Sequence, residues 1–318
     1  MGIYYFIYKY NRVNCVLYSW EKAGMTTLLQ VTGLTKRFAE HNVVDDVQFM
    51  LEEKTSTALI GPNGAGKTTT LSMLTGLLTP TAGSVKMLNG DLRENIGFLP
   101  QYPQFHPWLS ALEFTEMAAR LNGVSAKNAK LEAQKTLEFV GLGNAQHKKI
   151  DTFSGGMRQR LGISQAIVHK PKLLLLDEPV SALDPVGRRE VLDLLKGLQQ
   201  ETTILYSTHI LNDAEEMTDQ LLFLQNGKLV EQGTLREVRQ RFDEQNYIVE
   251  FSSEEEAKLF ASSTDHVVGC YVYIEILNEE PTMRELLHRL SNCPYTIRKV
   301  ERQTASLEEI FMKVAKKA

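Results

Sequence analysis

The stretch "GPNGAGKTT" at residues 61–69 constrains the fold of this 318-residue chain more than any other. It follows the apolar run "TALI" at 57–60 and precedes a helix-competent segment. Glycines let the backbone wrap an anion with its N–H groups turned inward, and the positive end of the following helix adds attraction. The sequence therefore predicts a phosphate-binding loop between a buried strand and a helix. Its members are Gly61, Pro62, Asn63, Gly64, Ala65, Gly66, Lys67, Thr68 and Thr69.

Two adjacent carboxylates end a second apolar run, "KLLLLDEP" at 172–179. A nearly continuous apolar run is typical of a parallel strand that is covered on both faces. Acidic residues at the end of an apolar run often do no more than contact solvent, so this pattern alone is weak evidence for a functional site. In a chain with a phosphate-binding loop it becomes specific. Asp177 is then placed to hold Mg²⁺ through water, and Glu178 is placed against the attacking water.

A second glycine pair occurs at a helix start in "FSGGMRQR", residues 153–160. Ser154 is a suitable N-cap, and Gly155 and Gly156 would leave backbone N–H groups bare near an anion. Arg158 and Arg160 are expected on a solvated helix face. The chain therefore has two segments suited to read phosphate, about ninety residues apart.

Further motifs complete an ordered series. Gln101 lies in "GFLPQ", residues 181–184 read "SALD", His209 lies in "YSTH", and Phe38 lies in "TKRF". Over about residues 28–233 this series resembles the ATP-binding cassette ATPases. "GPNGAGKTT" is similar to their Walker A motif, "LLLLDEP" to Walker B, and "FSGGM" to the signature motif, with Phe153 for the usual Leu and Met157 for the usual Gln.

The resemblance implies ATP and Mg²⁺ as cofactors and assigns roles to individual residues. The implied catalytic residues are Lys67, Gln101, Glu178 and His209. The implied metal ligands are Thr68, Gln101 and Asp177. The implied nucleotide-binding residues are Phe38, which would stack on adenine, the whole loop 61–69, and Ser154, Gly155 and Gly156. Taken alone, His209 could be a satisfied core histidine and Gln101 a loop amide.

The architecture of the resembled family explains the second phosphate-reading segment. Two copies bind head to tail, and each ATP lies between the phosphate loop of one copy and the signature helix of the other. The segment "FSGGMRQR" is thus expected to complete the partner's site and to read the γ-phosphate there. The expected partner is a second copy of this chain.

The alternation of strand-like and helical patterns predicts an α/β fold. We expect a P-loop NTPase core with an antiparallel β subdomain and a helical subdomain at about 106–169, together spanning 25–241. A small α+β domain at 242–318 is expected to follow, ending in a helix with a Ser306–Glu309 capping box. Residues 1–24 are expected to be a non-native or disordered extension before a natural start at Met25. A membrane-surface anchor is the alternative for that stretch.

The bulk composition narrows the class of protein. The net charge of −4 gives no reason to expect nucleic acid as a partner, and three scattered cysteines favour a reducing cytoplasm. Because no apolar run is long enough to cross a membrane, transport would require separate membrane subunits. His106, His147 and His169 are expected at the surface.

The last residues, "SLEEIFMKVAKKA", resemble the tails of bacterial ATPases that serve ABC-2-type exporters. The implied function is ATP hydrolysis that powers transport through membrane permease subunits, at the cytoplasmic face of the membrane. One alternative is a soluble cassette ATPase that acts on ribosomes or DNA. Another is a regulatory subunit that binds ATP without turnover, against which the intact Glu178 and His209 argue.

Overall fold

The computed structural model describes residues 26–88, 90–181, 183–242, 246–276, 280–303 and 305–317. The first part forms β1 (Thr27–Phe38), β2 (His41–Glu52), β3 (Ser56–Ile60), α1 (Lys67–Leu74), β4 (Ala82–Met87) and β5 (Ile96–Leu99). Three helices follow, α2 (Ala111–Leu121), α3 (Ala126–Phe139) and α4 (Gly155–Ile167). The chain continues with β6 (Leu173–Asp177), α5 (Pro185–Leu198), β7 (Thr203–Thr208), α6 (Leu211–Met217), β8 (Gln220–Gln225), β9 (Lys228–Thr234) and α7 (Leu235–Phe242). The last part forms β10 (Asn246–Phe251), α8 (Glu254–Phe260), β11 (His266–Val268), β12 (Tyr271–Glu275), α9 (Met283–Ser291), β13 (Ile297–Arg302) and α10 (Leu307–Lys317).

The central sheet has the strand order β5-β6-β7-β3-β8-β9. All neighbouring pairs from β5 to β8 are parallel, and only β9 runs antiparallel, after a hairpin turn at Asn226 and Gly227. Strands β3, β6 and β7 are buried along their whole length, as the apolar runs predicted. Since parallel strands end at the same edge, the loops after β3, β5, β6 and β7 meet there.

A second sheet, in the order β2-β1-β4, is antiparallel throughout. Its apolar side chains share a core with α1 and with one face of the central sheet, for example Leu29, Val44, Leu71 and Leu205. This arrangement places β2 next to the loop that precedes α1.

The helical segment between β5 and β6 has a capping box at the start of α2, where Ser110 and Glu113 exchange hydrogen bonds. Helix α4 lies close against β5, because a Cβ on Gly162 would approach Leu99 Cδ1 to 2.6 Å. His169, just beyond α4, is half-buried and its Nε2 lies 3.1 Å from Ile96 O, so its predicted surface position was wrong. His106 and His147 are exposed, as expected.

The C-terminal part forms a four-stranded antiparallel sheet in the order β11-β12-β10-β13, with α8 and α9 on its apolar face. The short strand β11 was not predicted. Helix α10 begins with the predicted Ser306–Glu309 capping box. Its buried residues Leu307 and Ile310 belong to the core of the cassette rather than to that of the four-stranded sheet.

The predicted fold class is confirmed: a parallel α/β core carries an antiparallel sheet and a helical segment, and an α+β part follows. The boundary between 241 and 242 stays a prediction. The expected extension at 1–24 lies outside the described residues. Within the described ranges, no helix has the length and apolar character needed to cross a membrane.

Candidate functional site

The predicted phosphate-binding loop connects β3 to α1. Gly64 and Gly66 have φ values of 81° and 104°, in the left-handed region that favours glycine. At two positions the lack of a side chain is also required by packing. A Cβ on Gly61 would lie 2.3 Å from Leu224 O, and one on Gly66 would lie 2.6 Å from Val43 O. The loop therefore closes tightly on the sheet behind it and turns its exposed side towards solvent.

Lys67, the first residue of α1, extends back over the loop. Its Nζ donates hydrogen bonds to Gly61 O at 2.8 Å and to Pro62 O at 3.2 Å. It also lies 3.8 Å from Glu178 Oε1. Burial lowers the pKa of the Lys67 ammonium, while the charges of Glu178 and Asp177 act in the opposite direction. The cation is held where the outer phosphates of a nucleotide would meet the loop.

Glu178 is the point where three loops converge. Gln101, which follows β5, donates from Nε2 to Glu178 Oε2 at 3.1 Å. His209, which follows β7, places Nδ1 3.1 Å from Glu178 Oε1. The Glu178 side chain is only 9% exposed, and its φ of 48° is uncommon for a residue with a side chain. An uncommon conformation at a buried carboxylate is typical of a functional position.

Asp177 and Glu178 are both fixed by a residue that the sequence analysis did not single out. The Ser207 hydroxyl donates to Asp177 Oδ1 at 2.6 Å and accepts the Glu178 N–H at 2.9 Å. Ser207 is fully buried in β7, and Asp177 is buried beside it in β6. The motif "YSTH" contained this serine, but only its histidine was assigned a role.

The loop, the carboxylate and the glutamine enclose a cleft of about 380 Å³. Its lining residues are Val43, Asn63, Gly64, Gly66, Lys67, Thr68, Thr69, Gln101 and Glu178. Val43, on β2, was also missed, because nothing in its sequence neighbourhood marks it. Among the other predicted loop residues, Pro62 is exposed and Ala65 is buried behind the loop.

The donor set suits a magnesium ion. Thr68 is an exposed residue with a hydroxyl, Gln101 has an amide oxygen, and Asp177 has a carboxylate. Mg²⁺ prefers oxygen ligands, and it commonly takes one or two carboxylates together with substrate phosphates. A hydroxyl, an amide and a carboxylate around a phosphate-binding loop fit that preference.

Two groups of predicted nucleotide-binding residues are not part of this cleft. Phe38 ends β1, is 48% exposed, and has Lys36 Nζ at 5.1 Å from its ring centre. Ser154, Gly155 and Gly156 form the start of α4, where Ser154 Oγ accepts the Met157 N–H as predicted. A Cβ on Gly155 would meet nothing within 4 Å.

The absence of crowding at Gly155 means that packing within the described chain does not require glycine there. Farther along α4, Gln159 Nε2 donates to Pro179 O at 2.6 Å, which joins this helix to the turn after Glu178. Helix α4 is therefore tied to the turn after Glu178 of its own chain, while Ser154 and Gly155 at its start are exposed.

Comparison with known families gives two matches. The family described as "ABC transporter" matches residues 44–181. The family described as "ATP-binding protein DrrA1-3-like, C-terminal domain" matches residues 233–315. The first match lies within the cassette, and the second begins in β9 and extends through the C-terminal part.

Whole-length relatives agree with both matches. The uncharacterized ABC transporter ATP-binding protein YxlF of Bacillus subtilis (strain 168) is 43% identical over 295 residues, which cover 90% of this chain and 99% of the relative. The bacitracin transport ATP-binding protein BcrA of Enterococcus faecalis is 32% identical over 302 residues, covering 91% and 97%. The linearmycin resistance ATP-binding protein LnrL of Bacillus subtilis (strain 168) is 30% identical over 302 residues, covering 90% and 97%.

Solved structures resemble the cassette. The ATP-binding subunit of an ABC transporter superposes with a TM-score of 0.62 at 32% identity, covering 68% of this chain and 93% of that one. A dimeric cassette in a post-hydrolysis state, bound to ADP and Pi, gives a TM-score of 0.59 at 26% identity, covering 66% and 99%. With this fold, this cleft and these relatives, the chain belongs to the ATP-binding proteins of the ABC transporter family, which are ATPases.

Proposed function

We propose that this chain binds and hydrolyses ATP in the cleft at 61–69 and thereby powers an ABC-2-type exporter through separate membrane subunits. The observation that carries the proposal is the convergence of Gln101, His209 and Lys67 on Glu178 at the mouth of the cleft. A buried carboxylate next to a phosphate-binding cation has the chemistry needed to orient and polarise an attacking water.

The residues in and around the cleft have distinct tasks in this proposal. The backbone of the loop and the positive end of α1 cradle the phosphates, and Lys67 supplies charge at the outer ones. Glu178 orients the water, and His209 contacts both Glu178 and the γ-phosphate. Thr68, Asp177 and Gln101 would hold Mg²⁺, which neutralises charge that develops on the phosphates. Phe38, at the edge of the β1–β2 hairpin, would stack on adenine.

Ser154, Gly155 and Gly156 are proposed to act on the ATP of a second copy. Ser154 and Gly155 are exposed, packing requires neither glycine, and the lining of the cleft of the same chain does not include the three residues. A dimeric cassette is among the structures that this fold resembles. ATP bound between two copies would hold them together, and loss of the γ-phosphate would weaken that contact, because the differential affinity for ATP and ADP drives the switch.

We take the proposed substrate class from relatives, because specificity would reside in the membrane partner rather than in this chain. Two relatives are named for bacitracin transport and for linearmycin resistance. We propose export of an antibiotic or peptide, with this chain bound peripherally at the cytoplasmic face of the membrane by its permease.

The experiment is affinity purification of the tagged chain from its native host with mild detergent, followed by mass spectrometry. We expect a multi-span membrane protein at stoichiometric yield, and we expect the complex to hydrolyse ATP. Recovery of ribosomes or nucleic acid in place of a membrane protein would contradict the exporter assignment and favour a cassette ATPase of the translation or DNA-maintenance type.

A further inference from the structure

Helix α6 lies next to the proposed catalytic site of the cassette. It begins two residues after His209, whose Nδ1 contacts Glu178 at 3.1 Å. It has only seven residues, and the side chain of its N-cap, Ile210, makes no capping hydrogen bond. A helix this short has little stability of its own, so its position depends on the elements that pack against it.

The acidic residues of α6 fix it on two sides. On one side, Glu216 pairs with Arg189 and Lys196 of α5. On the other side, Glu215 Oε1 accepts the Leu307 N–H of α10 at 2.8 Å and lies 3.1 Å from the Arg239 guanidinium of α7. Glu215 thus joins the helix that follows His209 to the last helix of the chain.

Apolar packing supports the same contact. Leu307 and Ile310 of α10 are completely buried, in the cluster that contains Ala214 of α6, Phe223 of β8 and Val238 of α7. The ring centres of Phe311 and Phe223 are 6.4 Å apart. By sequence α10 follows β13 of the four-stranded sheet, yet its apolar side belongs to the cassette. A displacement of the C-terminal part would therefore act on α6 directly, through α10.

We propose that α10 sets the rate of ATP hydrolysis by holding α6, with Glu215 as the positioning residue that keeps His209 against Glu178. When α10 is docked, the histidine is fixed for turnover. When the C-terminal part moves, for instance on contact with a partner, α6 loses its support and turnover falls. The inference rests on the catalytic roles proposed above for Glu178 and His209 and adds a function for the C-terminal part.

The first test compares purified Glu215→Ala, Glu215→Gln and wild-type chains without a membrane partner. For Glu215→Ala we expect kcat to fall ~10-fold with unchanged ATP affinity, since misplacement of a catalytic group by the order of 1 Å costs up to ~10²-fold. Glu215→Gln keeps an acceptor for the Leu307 N–H and should retain a rate near that of the wild type. Glu132→Ala, which removes the ion pairs of this α3 residue with Lys135 and Lys170, is the matched control and should not change kcat.

The second test separates α10 docking from general loss of packing. Ile310→Ala removes a side chain that is buried against the cassette, and Leu290→Ala removes one that is buried in the separate C-terminal core. Only Ile310→Ala should lower kcat, and Ile310→Val replaces it if the alanine variant unfolds. Equal losses from both substitutions would overturn the proposal.

A double-mutant cycle shows whether Glu215 acts through His209. In a His209→Ala chain, adding Glu215→Ala should leave the residual release of labelled phosphate unchanged, because the group being positioned is gone. If the two substitutions lowered the rate by independent factors that multiply, Glu215 would not act through His209 and the proposal would be overturned. A Glu215→Gln rate as low as that of Glu215→Ala would overturn it as well. A wild-type chain that binds ATP without hydrolysing it would contradict the catalytic roles themselves, so the two failures are distinguishable.

Discussion

Ser207 fixes the side chain of Asp177: the Ser207 hydroxyl donates a hydrogen bond to Asp177 Oδ1 at 2.6 Å. The same hydroxyl oxygen accepts the N–H of Glu178 at 2.9 Å. One small side chain therefore forms hydrogen bonds with both the carboxylate of the proposed metal ligand and the backbone N–H of the proposed catalytic residue. Strand β7 thus supplies, next to the end of β6, the hydroxyl that fixes the Asp177 carboxylate and the backbone of Glu178.

Ser207→Ala should raise the Mg²⁺ concentration needed for half-maximal hydrolysis by ~10- to 100-fold, the usual range for loss of a partner that orients a metal ligand. It should also lower the free energy of unfolding by about 1–3 kcal/mol, because a buried N–H and a carboxylate oxygen lose their partner. Mg²⁺ titration of ATPase activity and urea unfolding measure the two effects.

The control for Ser207→Ala is Thr202→Val. Thr202 Oγ1 also makes a buried hydrogen bond, to Pro171 O at 2.7 Å, at the opposite end of β7. We expect a similar loss of stability and an unchanged Mg²⁺ dependence. If both variants shift the Mg²⁺ dependence equally, Ser207 has no specific role at the metal site.

Lys67→Met should remove the stabilisation of the chain by Mg-ATP. A ligand at 100 times its dissociation constant stabilises a protein by about 2.7 kcal/mol, and the loss of the phosphate-binding charge should remove most of this. Thermal unfolding with and without Mg-ATP measures the change. Lys130→Met, at an exposed position on α3, should respond to Mg-ATP as the wild type does. An undiminished shift in Lys67→Met would exclude Lys67 from nucleotide binding.

Asp213→Asn should stabilise the folded chain at neutral pH. Burial raises the pKa of the Asp213 carboxyl, the Arg188 cation opposes this, and Glu216 adds to it. The raised pKa means that the folded state binds the proton more tightly than the unfolded state, so stability falls as pH rises through this window. The gain from Asn should therefore be present at pH 7.5 and disappear below the ordinary pKa of 3.8. Urea unfolding at several pH values tests this.

The matched comparison is Asp193→Asn, at a carboxylate on α5 that pairs with Arg189 and is largely exposed. Its stability should be close to that of the wild type at every pH, since exposed ion pairs contribute little. A gain for Asp213→Asn that persists at low pH would show that the carboxylate charge is not its cause.

The local sequence predicted most of the residues that line the cleft. The loop at 61–69, the acids after β6 and the histidine after β7 each follow an apolar run, and parallel strands bring such ends together. Ser207 and Val43 escaped notice because serine and valine are ordinary residues of strands. Their importance comes from neighbours that are distant in sequence, Asp177 in one case and Gly66 in the other.

The C-terminal part shows a different limit of sequence analysis. The alternation of apolar residues predicted its longer strands and helices, but β11 has only three residues, too few for a periodic pattern. The Ser306–Glu309 capping box predicted the start of α10. It could not show which of two cores the apolar side chains of this helix join, since any apolar surface would accommodate them.

Glu178→Gln should separate ATP binding from turnover. Loss of the base should reduce the rate by about 10²- to 10⁴-fold, while the amide still fits among Gln101, His209 and Lys67. If Ser154 reads the γ-phosphate of a second copy, trapped ATP should hold two copies together. The variant is then monomeric without nucleotide and dimeric with Mg-ATP, and ADP does not produce the dimer. Light scattering at high protein concentration measures this.

Adding Ser154→Arg should abolish the dimer and spare ATP binding, because α4 is not part of the cleft of its own chain. A dimer that is as stable with ADP as with ATP would rule out a site completed by the partner.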